Sequence, residues 1–321
     1  MSDLVTLMAL LRGLHLATMV SLLGTAAFTV WMLPAVAEPP AALRRRLYRL
    51  CQVSGSVAIL AGAAWFVLQT AAMANAGSWP ALLDALPVVA LHTRYGTIML
   101  ARLLLVLVAA VLGRLETKRG TYLILVLSAV ALGLEGLIGH AGATAGATGH
   151  ELVISEALHL LAAGLWLGAL LPLWLSVQAL SSTQAAILCE RFTPMGLACV
   201  LVLAGTGFAQ GMDLIGSLPG LFGTSYGHIA LLKITLFLIA LVLALLNCLW
   251  LTDRLAAGGV EARHRLKLSI CVETGVGLAI VCAAAFLAST TPAVHATPRY
   301  SWSLLSKCCC RPCKRDPTTL S

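Results

Sequence analysis

The chain contains eight apolar windows, and this recurrence constrains its fold more than any other feature of the sequence. The windows lie at roughly 4–31, 50–74, 95–113, 121–139, 152–175, 194–212, 226–251 and 268–289. A helical segment of about 20 apolar residues crosses the hydrocarbon core of a bilayer. Because 60% of the 321 residues are hydrophobic and only 11% are charged, the sequence predicts an all-α, polytopic membrane bundle. We number its eight predicted transmembrane helices 1 to 8.

The basic residues predict the orientation of these helices. Alternate connecting segments carry Arg44, Arg45, Arg46 and Arg49, then Arg114, Lys118 and Arg119, then Arg191, and then Arg254, Arg263, Arg265 and Lys267. The remaining segments before the C-terminal tail hold only Arg94. Since Lys and Arg concentrate in cytoplasmic loops, we expect both termini on the outer side. The net charge of +8 therefore reflects membrane topology, and no nucleic-acid partner is expected.

Short motifs recur between the two halves of the sequence. A Leu-His-Leu motif followed by a glycine occurs in helices 1 and 5, and Tyr-Gly-x-Ile-x-Leu-x-basic opens helices 3 and 7. The equivalent positions are His15 and His159, Gly24 and Gly168, Tyr95 and Tyr226, and Arg102 and Lys233. The pattern predicts a parallel repeat of four plus four helices at 1–145 and 146–298, followed by a Cys-rich basic tail at 299–321. A site at the repeat interface would bring the two histidines toward each other.

Candidate ligands for a metal concentrate in the outer half of the predicted bundle. Ionisable groups at membrane depth are costly unless they face a partner, a cavity or an ion. Imidazole and thioether groups are ligands typical of copper. The predicted metal ligands are His15, Met99, His140, His150, Glu156, His159 and Met212. Electrostatic support is assigned to Arg12, Arg102, Glu135 and Lys233, which alternatively form structural ion pairs between helices.

Two further groups of polar residues lie outside this set. On the inner side, Asn247 in helix 7 and Glu273 in helix 8 are interpreted as isolated polar residues. The tail contains a cluster of thiols, at Cys308, Cys309, Cys310 and Cys313. Thiols of this kind bind soft metals, so metal capture by the tail is one hypothesis. The alternative is an unstructured segment with incidental cysteines.

Several short motifs occur in a fixed order along the predicted helices. They are Arg12-x-x-His15, Gly139-His140, Glu156-x-x-His159 with Trp166-x-Gly168, Thr206-Gly207, and Tyr226-Gly227-x-x-x-Leu231-x-Lys233. In this arrangement the chain resembles the copper resistance protein D family of bacterial inner-membrane proteins. The resemblance implies copper homeostasis, with copper passing inward from the periplasm, often beside a periplasmic copper carrier. The matching polar positions are His15, His140, Glu156 and His159, supported by Arg12 and Lys233, whereas the Cys-rich tail departs from the family pattern.

The leading functional hypothesis is therefore a multi-pass inner-membrane protein that handles copper and is a transporter rather than an enzyme. The sequence contains no phosphate-binding loop that would indicate nucleotide-driven transport. The alternative is a membrane redox protein that binds haem b through His15 and His159, with Arg or Lys at the propionates. A structural subunit with ion-paired helices and no ligand is a third hypothesis.

Overall fold

Eight long apolar helices dominate the computed structural model, which describes residues 2–139, 146–257 and 260–296. We label them α1 to α8, in the order of predicted helices 1 to 8. Their bounds are Ser2–Ala27, Ala41–Met73, Arg94–Leu112, Lys118–Gly133, Gly146–Ala179, Ser182–Leu214, Ser225–Leu246 and Val260–Leu287. Shorter helices cover Trp79–His92, Leu218–Gly223, Thr252–Ala256 and Ala293–Ala296. The described residues include no strand, so the prediction of an all-α bundle with eight transmembrane helices is confirmed.

Several of the long helices continue directly into a π-helical or 3₁₀ turn. α1 extends through the π-helical turn Phe28–Met32, and α7 extends through a second π-helical turn, Asn247–Leu251. α4 continues into the 3₁₀ turn Leu134–Leu137, which holds Glu135 in a buried position. Turns of the π type are rare and occur frequently at functional sites. The turn after α7 begins at Asn247, where the backbone widens at the C-terminal end of that helix.

The helices α3 and α7 begin with the same local structure. Each follows a short helix, and each is capped by a threonine whose hydroxyl accepts a hydrogen bond from the Tyr-Gly glycine. The Thr93 cap lies 2.9 Å from Gly96 N, and the Thr224 cap lies 3.0 Å from Gly227 N. A Cβ atom at either glycine would fall 2.0 to 2.1 Å from a carbonyl oxygen of the preceding short helix. Both positions therefore require glycine, which explains why the Tyr-Gly motif occurs at the start of both helices.

The two halves meet where α1 crosses α5. A Cβ atom on Gly24 would lie 2.1 Å from the carbonyl carbon of Gly168, and one on Gly168 would lie 2.0 Å from the Val20 carbonyl oxygen. Only glycine, which has no Cβ atom, allows the two helix backbones to approach this closely, as in other close helix pairs in membranes. α1 also packs against α2, α4 and α8, and α5 packs against α6 and α8. The histidine of each half lies nine residues before the glycine at this crossing.

Candidate functional site

A first polar cluster, formed by Arg12, His15, Arg102 and Glu135, lies inside helices α1 to α4. The Glu135 carboxylate binds both guanidinium groups: Arg12 Nη2 lies 2.8 Å from Oε1, and Arg102 forms an ion pair with Oε2. Arg102 also donates to the Ala131 carbonyl oxygen over 2.9 Å. His15 and Arg102 are fully buried, and Glu135 is 2% exposed. The cluster therefore holds two positive charges and one negative charge within the bundle.

The hydrogen bonds of His15 define its tautomer. Its Nδ1 lies 2.7 Å from the Ala58 carbonyl oxygen, which can only accept, so Nδ1 carries the hydrogen. Its Nε2 lies 3.1 Å from Arg102 Nη2, which can only donate, so the Nε2 lone pair is occupied by the guanidinium. Gly62 makes room for the ring, because a Cβ atom there would lie 2.7 Å from Nδ1. Both ring nitrogens are thus engaged, and the geometry of this cluster is that of a structural network.

A second polar cluster, formed by Glu156, His159, Thr206 and Lys233, lies among helices α5 to α7. The Thr206 hydroxyl donates to the Val202 carbonyl oxygen over 2.6 Å, so it accepts from His159 Nδ1 at 2.9 Å. His159 Nε2 then presents its lone pair to Lys233 Nζ, at 3.4 Å. The tautomer matches that of His15, and Lys233 occupies the role that Arg102 has in the first cluster. Lys233, however, has far fewer contacts than Arg102.

Two cavities meet at Lys233. One cavity, which we call the outer cavity because it lies on the side predicted to face outward, has a volume of about 80 Å³ and is lined by Arg12, Glu156, Gln210, Tyr226 and Lys233 among others. The central cavity, of about 360 Å³, is lined by His159 and Lys233 at its polar end and by apolar side chains elsewhere. The central cavity opens to the surface of the bundle beside the exposed side chains of Phe208 and Leu238, and its volume is large enough for several water molecules or a hydrated ion. The second cluster is therefore accessible to a small ligand, and Lys233 stands between the carboxylate in one cavity and the imidazole in the other.

The remaining predicted ligands are dispersed. Met99 is buried in the first cluster, where its sulfur lies 3.7 Å from Arg102 Nη1. Met212 is 61% exposed and His150 is also exposed, so both face away from the two clusters. His140 and the four tail cysteines lie outside the described residues. Within the described ranges, no three His, Cys, Asp or Glu side chains converge in a way that could hold a metal ion.

The structure also separates the two histidines that the sequence places at one interface. α1 and α5 do pack together, but His15 bonds to α2 and α3, while His159 bonds to α6 and α7. None of the cavities described here is lined by both rings. A haem held between His15 and His159 would need both Nε2 lone pairs on one iron. The observed contacts direct them to different cations instead.

Several residues that the sequence did not single out as ligands contribute to these sites. Thr206 fixes the orientation of His159, and Gln210 lines both the outer and the central cavity. The interpretation of Asn247 and Glu273 as isolated residues is wrong, because Asn247 Nδ2 donates to Glu273 Oε2 over 3.0 Å. The separation of 26 positions between them gives no sequence signal. Their contact depends on how α7 and α8 pack.

Comparison with known proteins agrees with this architecture. A family model described as the copper resistance protein D-like N-terminal domain matches residues 1–150, and one described as copper resistance protein D matches residues 186–287. The chain belongs to the copper resistance protein D family. The two matches fall on the two halves of the bundle, with the first cluster in one and Lys233 in the other. This protein is therefore a multi-pass inner-membrane protein of a copper-handling family.

Individual relatives support the same family assignment. The chain is 25% identical to the inner membrane protein YebZ of Escherichia coli K12, over 88% of this chain and 97% of the relative. It is 25% identical to copper resistance protein D of Pseudomonas syringae pv. tomato, over 77% and 84% of the two chains. It is 30% identical to the copper transport protein CutJ of Bacillus subtilis, over 44% of this chain and 27% of that protein. No solved structure matches the chain significantly.

Proposed function

We propose that this protein moves copper from the periplasm toward the cytoplasm through the helices α5 to α8. The observation that carries the proposal is the position of Lys233, whose Nζ lies 3.4 Å from His159 Nε2 at the junction of two cavities. This ammonium group lies at the end of a flexible stem and occupies the place at the imidazole lone pair that a cargo cation would take. The names of the relatives CutJ and copper resistance protein D support copper as that cargo.

The proposed mechanism is an exchange of cations at His159. Copper entering the outer cavity would meet Glu156, whose carboxylate lowers the cost of bringing a cation to membrane depth. Copper then binds the Nε2 lone pair of His159, and the Lys233 ammonium moves to Glu156. The lysine charge is then paired with the Glu156 carboxylate, and the copper ion adds its own positive charge at the neutral His159 ring. Lysine suits this role, since its charge is a point on a flexible stem.

The first cluster, in contrast, holds its cation firmly in place. Arg102 is planar, permanently charged and held by Glu135, His15 and the Ala131 carbonyl oxygen. No cargo ion displaces a guanidinium that is fixed in this way without leaving Glu135 or His15 unpaired. We therefore assign a structural role to α1 to α4 and the transport path to α5 to α8. A periplasmic copper carrier is the proposed donor on the outer side, and the outward position of both termini remains part of this proposal.

The test is copper uptake by the purified protein reconstituted into lipid vesicles. Replacing His159 with Ala or Glu156 with Gln is expected to lower uptake by about tenfold or more, as for other residues that support metal binding. His150→Ala provides the matched control, because His150 lies on the same helix but is exposed. Uptake at the wild-type rate by a folded His159→Ala variant would overturn the proposal.

An absorption spectrum of the same preparation tests the electron-transfer alternative. The exchange mechanism predicts a protein without a Soret band, whose copper uptake depends on His159. A Soret band that disappears in both His15→Ala and His159→Ala would instead identify the histidines as axial ligands of haem b. Such a result would replace copper transport with electron transfer as the function.

A further inference from the structure

The inner half of α5 to α8 contains a third cavity, of about 210 Å³, which we call the inner cavity. It opens to the surface of the bundle beside the exposed side chains of Leu197 and Leu245. Thr252 leads from it into the basic segment between α7 and α8, which the charge pattern predicts on the cytoplasmic side. The cavity is large enough for several water molecules. Its polar lining residues are Cys189, Thr193, Asn247, Cys248, Thr252 and Glu273.

The carboxyl group of Glu273 is buried in this lining without a cation beside it. It is 2% exposed, and none of the ion pairs among the described residues involves it. Asn247 Nδ2 donates to its Oε2 over 3.0 Å, and the Trp166 indole also donates to the carboxyl. Both donors are uncharged. A carboxylate buried at membrane depth without a cation is costly, and such a group commonly becomes neutral by binding a proton.

The helices that pack against α8 supply no charge at this depth. They are α1, α5 and α7, and the last ionisable residues along them are His15, His159 and Lys233. All three belong to the two polar clusters of the outer half. The inner halves of these helices therefore face Glu273 with uncharged side chains.

The remaining titratable groups lie toward the inner ends of the helices or in the cavity lining. Lys267 on α8 is half-buried and lies six residues before Glu273, roughly 9 Å along the axis. The thiols of Cys189 and Cys248 are the other titratable groups that line the cavity. On α6 and in the segment after α7, the charged residues are all exposed, and they are Glu190, Arg191, Asp253 and Arg254.

Two buried acceptor atoms indicate where a proton binds. Glu273 Oε1 and Asn247 Oδ1 have no hydrogen-bond partner in the described part of the chain, yet their groups are already joined through Oε2 and Nδ2. A proton on Oε1 can be donated to Oδ1, so that two hydrogen bonds join the carboxylic acid to the amide. One proton thus satisfies both atoms. A metal ion does not fit, because no three His, Cys, Asp or Glu side chains of the described ranges converge here.

Trp166 connects this carboxyl group to the central cavity. It lines both the central and the inner cavity, and it is 1% exposed. It lies seven residues after His159 on α5, which is about two helical turns, or roughly 10 Å along the axis. Its indole N–H donates to the carboxyl of Glu273. A cation in the central cavity is therefore near enough for its charge to repel a proton on Glu273 across a poorly polarisable interior.

We propose that Glu273 is a proton-binding site whose occupancy is coupled to the central cavity. While the central cavity is empty, the proton joins Glu273 to Asn247. When a copper ion binds at His159, the O–H bond of Glu273 breaks, and the proton passes to water in the inner cavity. The carboxylate then balances one positive charge, and the proton returns when the ion moves on. The coupling rests on the proposed copper transport, whereas the proton site rests on the contacts of Glu273 alone.

The test is infrared difference spectroscopy of the detergent-purified full chain at neutral pH. A protonated carboxyl has a C=O stretch that is well separated from the bands of a carboxylate. The difference between wild type and Glu273→Gln is expected to contain an acid band that shifts in D₂O, because water reaches the inner cavity. Glu261→Gln is the control, since Glu261 is exposed and paired with Arg265, and it is expected to remove carboxylate bands only. Carboxylate bands in place of the acid band for Glu273→Gln would overturn the proton site.

Two measurements test the pairing with Asn247. A glutamine at 273 can accept from and donate to the Asn247 amide as the neutral acid does, so Glu273→Gln is expected to unfold with the free energy of the wild type. A large loss of stability would show that the site requires a negative charge, which contradicts the proposal. Asn247→Ala removes the amide, so the acid band is expected to remain and to move to higher frequency. An acid band at an unchanged frequency would refute the pairing.

Anaerobic addition of Cu(I) with a reductant tests the coupling in the same spectra. The acid band of Glu273 is expected to decrease and carboxylate bands to appear in the wild type, but not in His159→Ala. An acid band that copper leaves unchanged in the wild type would overturn the coupling. If His159→Ala takes up copper normally while the acid band is present, the transport path is wrong and the proton site stands. If uptake depends on His159 but the wild type has no acid band from Glu273, the proton site is wrong and the transport path stands.

Discussion

Replacement of Glu135 by Gln tests the structural role of the first cluster. The glutamine has the same shape and can still accept hydrogen bonds, but it no longer neutralises Arg12 and Arg102. Arg102 is fully buried and Arg12 is 12% exposed, so water cannot replace the lost negative charge at Arg102. Breaking a buried ion pair by removing one partner costs about 3 to 5 kcal/mol. Because two guanidinium groups share this carboxylate, we expect a loss near the upper end of that range.

The loss is measured as the change in unfolding free energy of the detergent-purified protein, for example by titration with a denaturing detergent. Glu261→Gln is the control, because Glu261 also pairs with an arginine, Arg265, but both side chains are more than half exposed at 71% and 61%. Exposed pairs contribute little, so this variant is expected to match the wild type. A Glu135→Gln variant that is as stable as the wild type but fails to transport copper would refute the reasoning and place the first cluster in the transport path.

Two further predictions concern the second half and the crossing of the halves. Gly168→Ala places a methyl group 2.0 Å from the Val20 carbonyl oxygen, so we expect the unfolding free energy to fall by about 1 to 3 kcal/mol in the same assay. Gly275→Ala is the control and is expected to be neutral, because no atom lies within 4 Å of a Cβ atom at that position. Lys233→Arg keeps the charge but replaces a mobile ammonium by a rigid guanidinium, so copper uptake is expected to fall by about tenfold with the fold retained. Normal uptake by Lys233→Arg would contradict cation exchange at His159.

The number and order of the transmembrane helices were predictable from sequence because each requires a window of about 20 apolar residues. The equivalence of Arg102 and Lys233 was also predictable, since both occupy the same position of a repeated motif. In the structure each of them contacts the histidine of its own half. These features depend on length and spacing along the chain. Neither requires knowledge of how one helix is rotated against another.

The composition of the sites was less predictable because it depends on that rotation. Met212 has the side chain and the depth expected of a copper ligand, yet its helix turns it outward, where it is 61% exposed. Asn247 and Glu273 have no distinguishing spacing, yet α7 and α8 bring them to 3.0 Å. In a helix of 3.6 residues per turn, a change of one position rotates a side chain by about 100°. An apolar sequence carries little information about which face is turned inward, because lipid and protein interior are equally apolar.

The two halves illustrate how one arrangement can be used for different purposes. In both halves, a neutral histidine donates a hydrogen bond from Nδ1 to an oxygen atom, and its Nε2 lone pair accepts from a cationic side chain. In the first half, the cation is Arg102, which is held by the Glu135 carboxylate, the His15 ring and the Ala131 carbonyl oxygen. In the second half, it is Lys233, whose contacts are fewer and whose surroundings contain cavities. In the proposed mechanism, the arginine at this position of the repeated motif belongs to a network that stabilises the bundle, whereas the lysine gives up its place at His159 to a cargo ion.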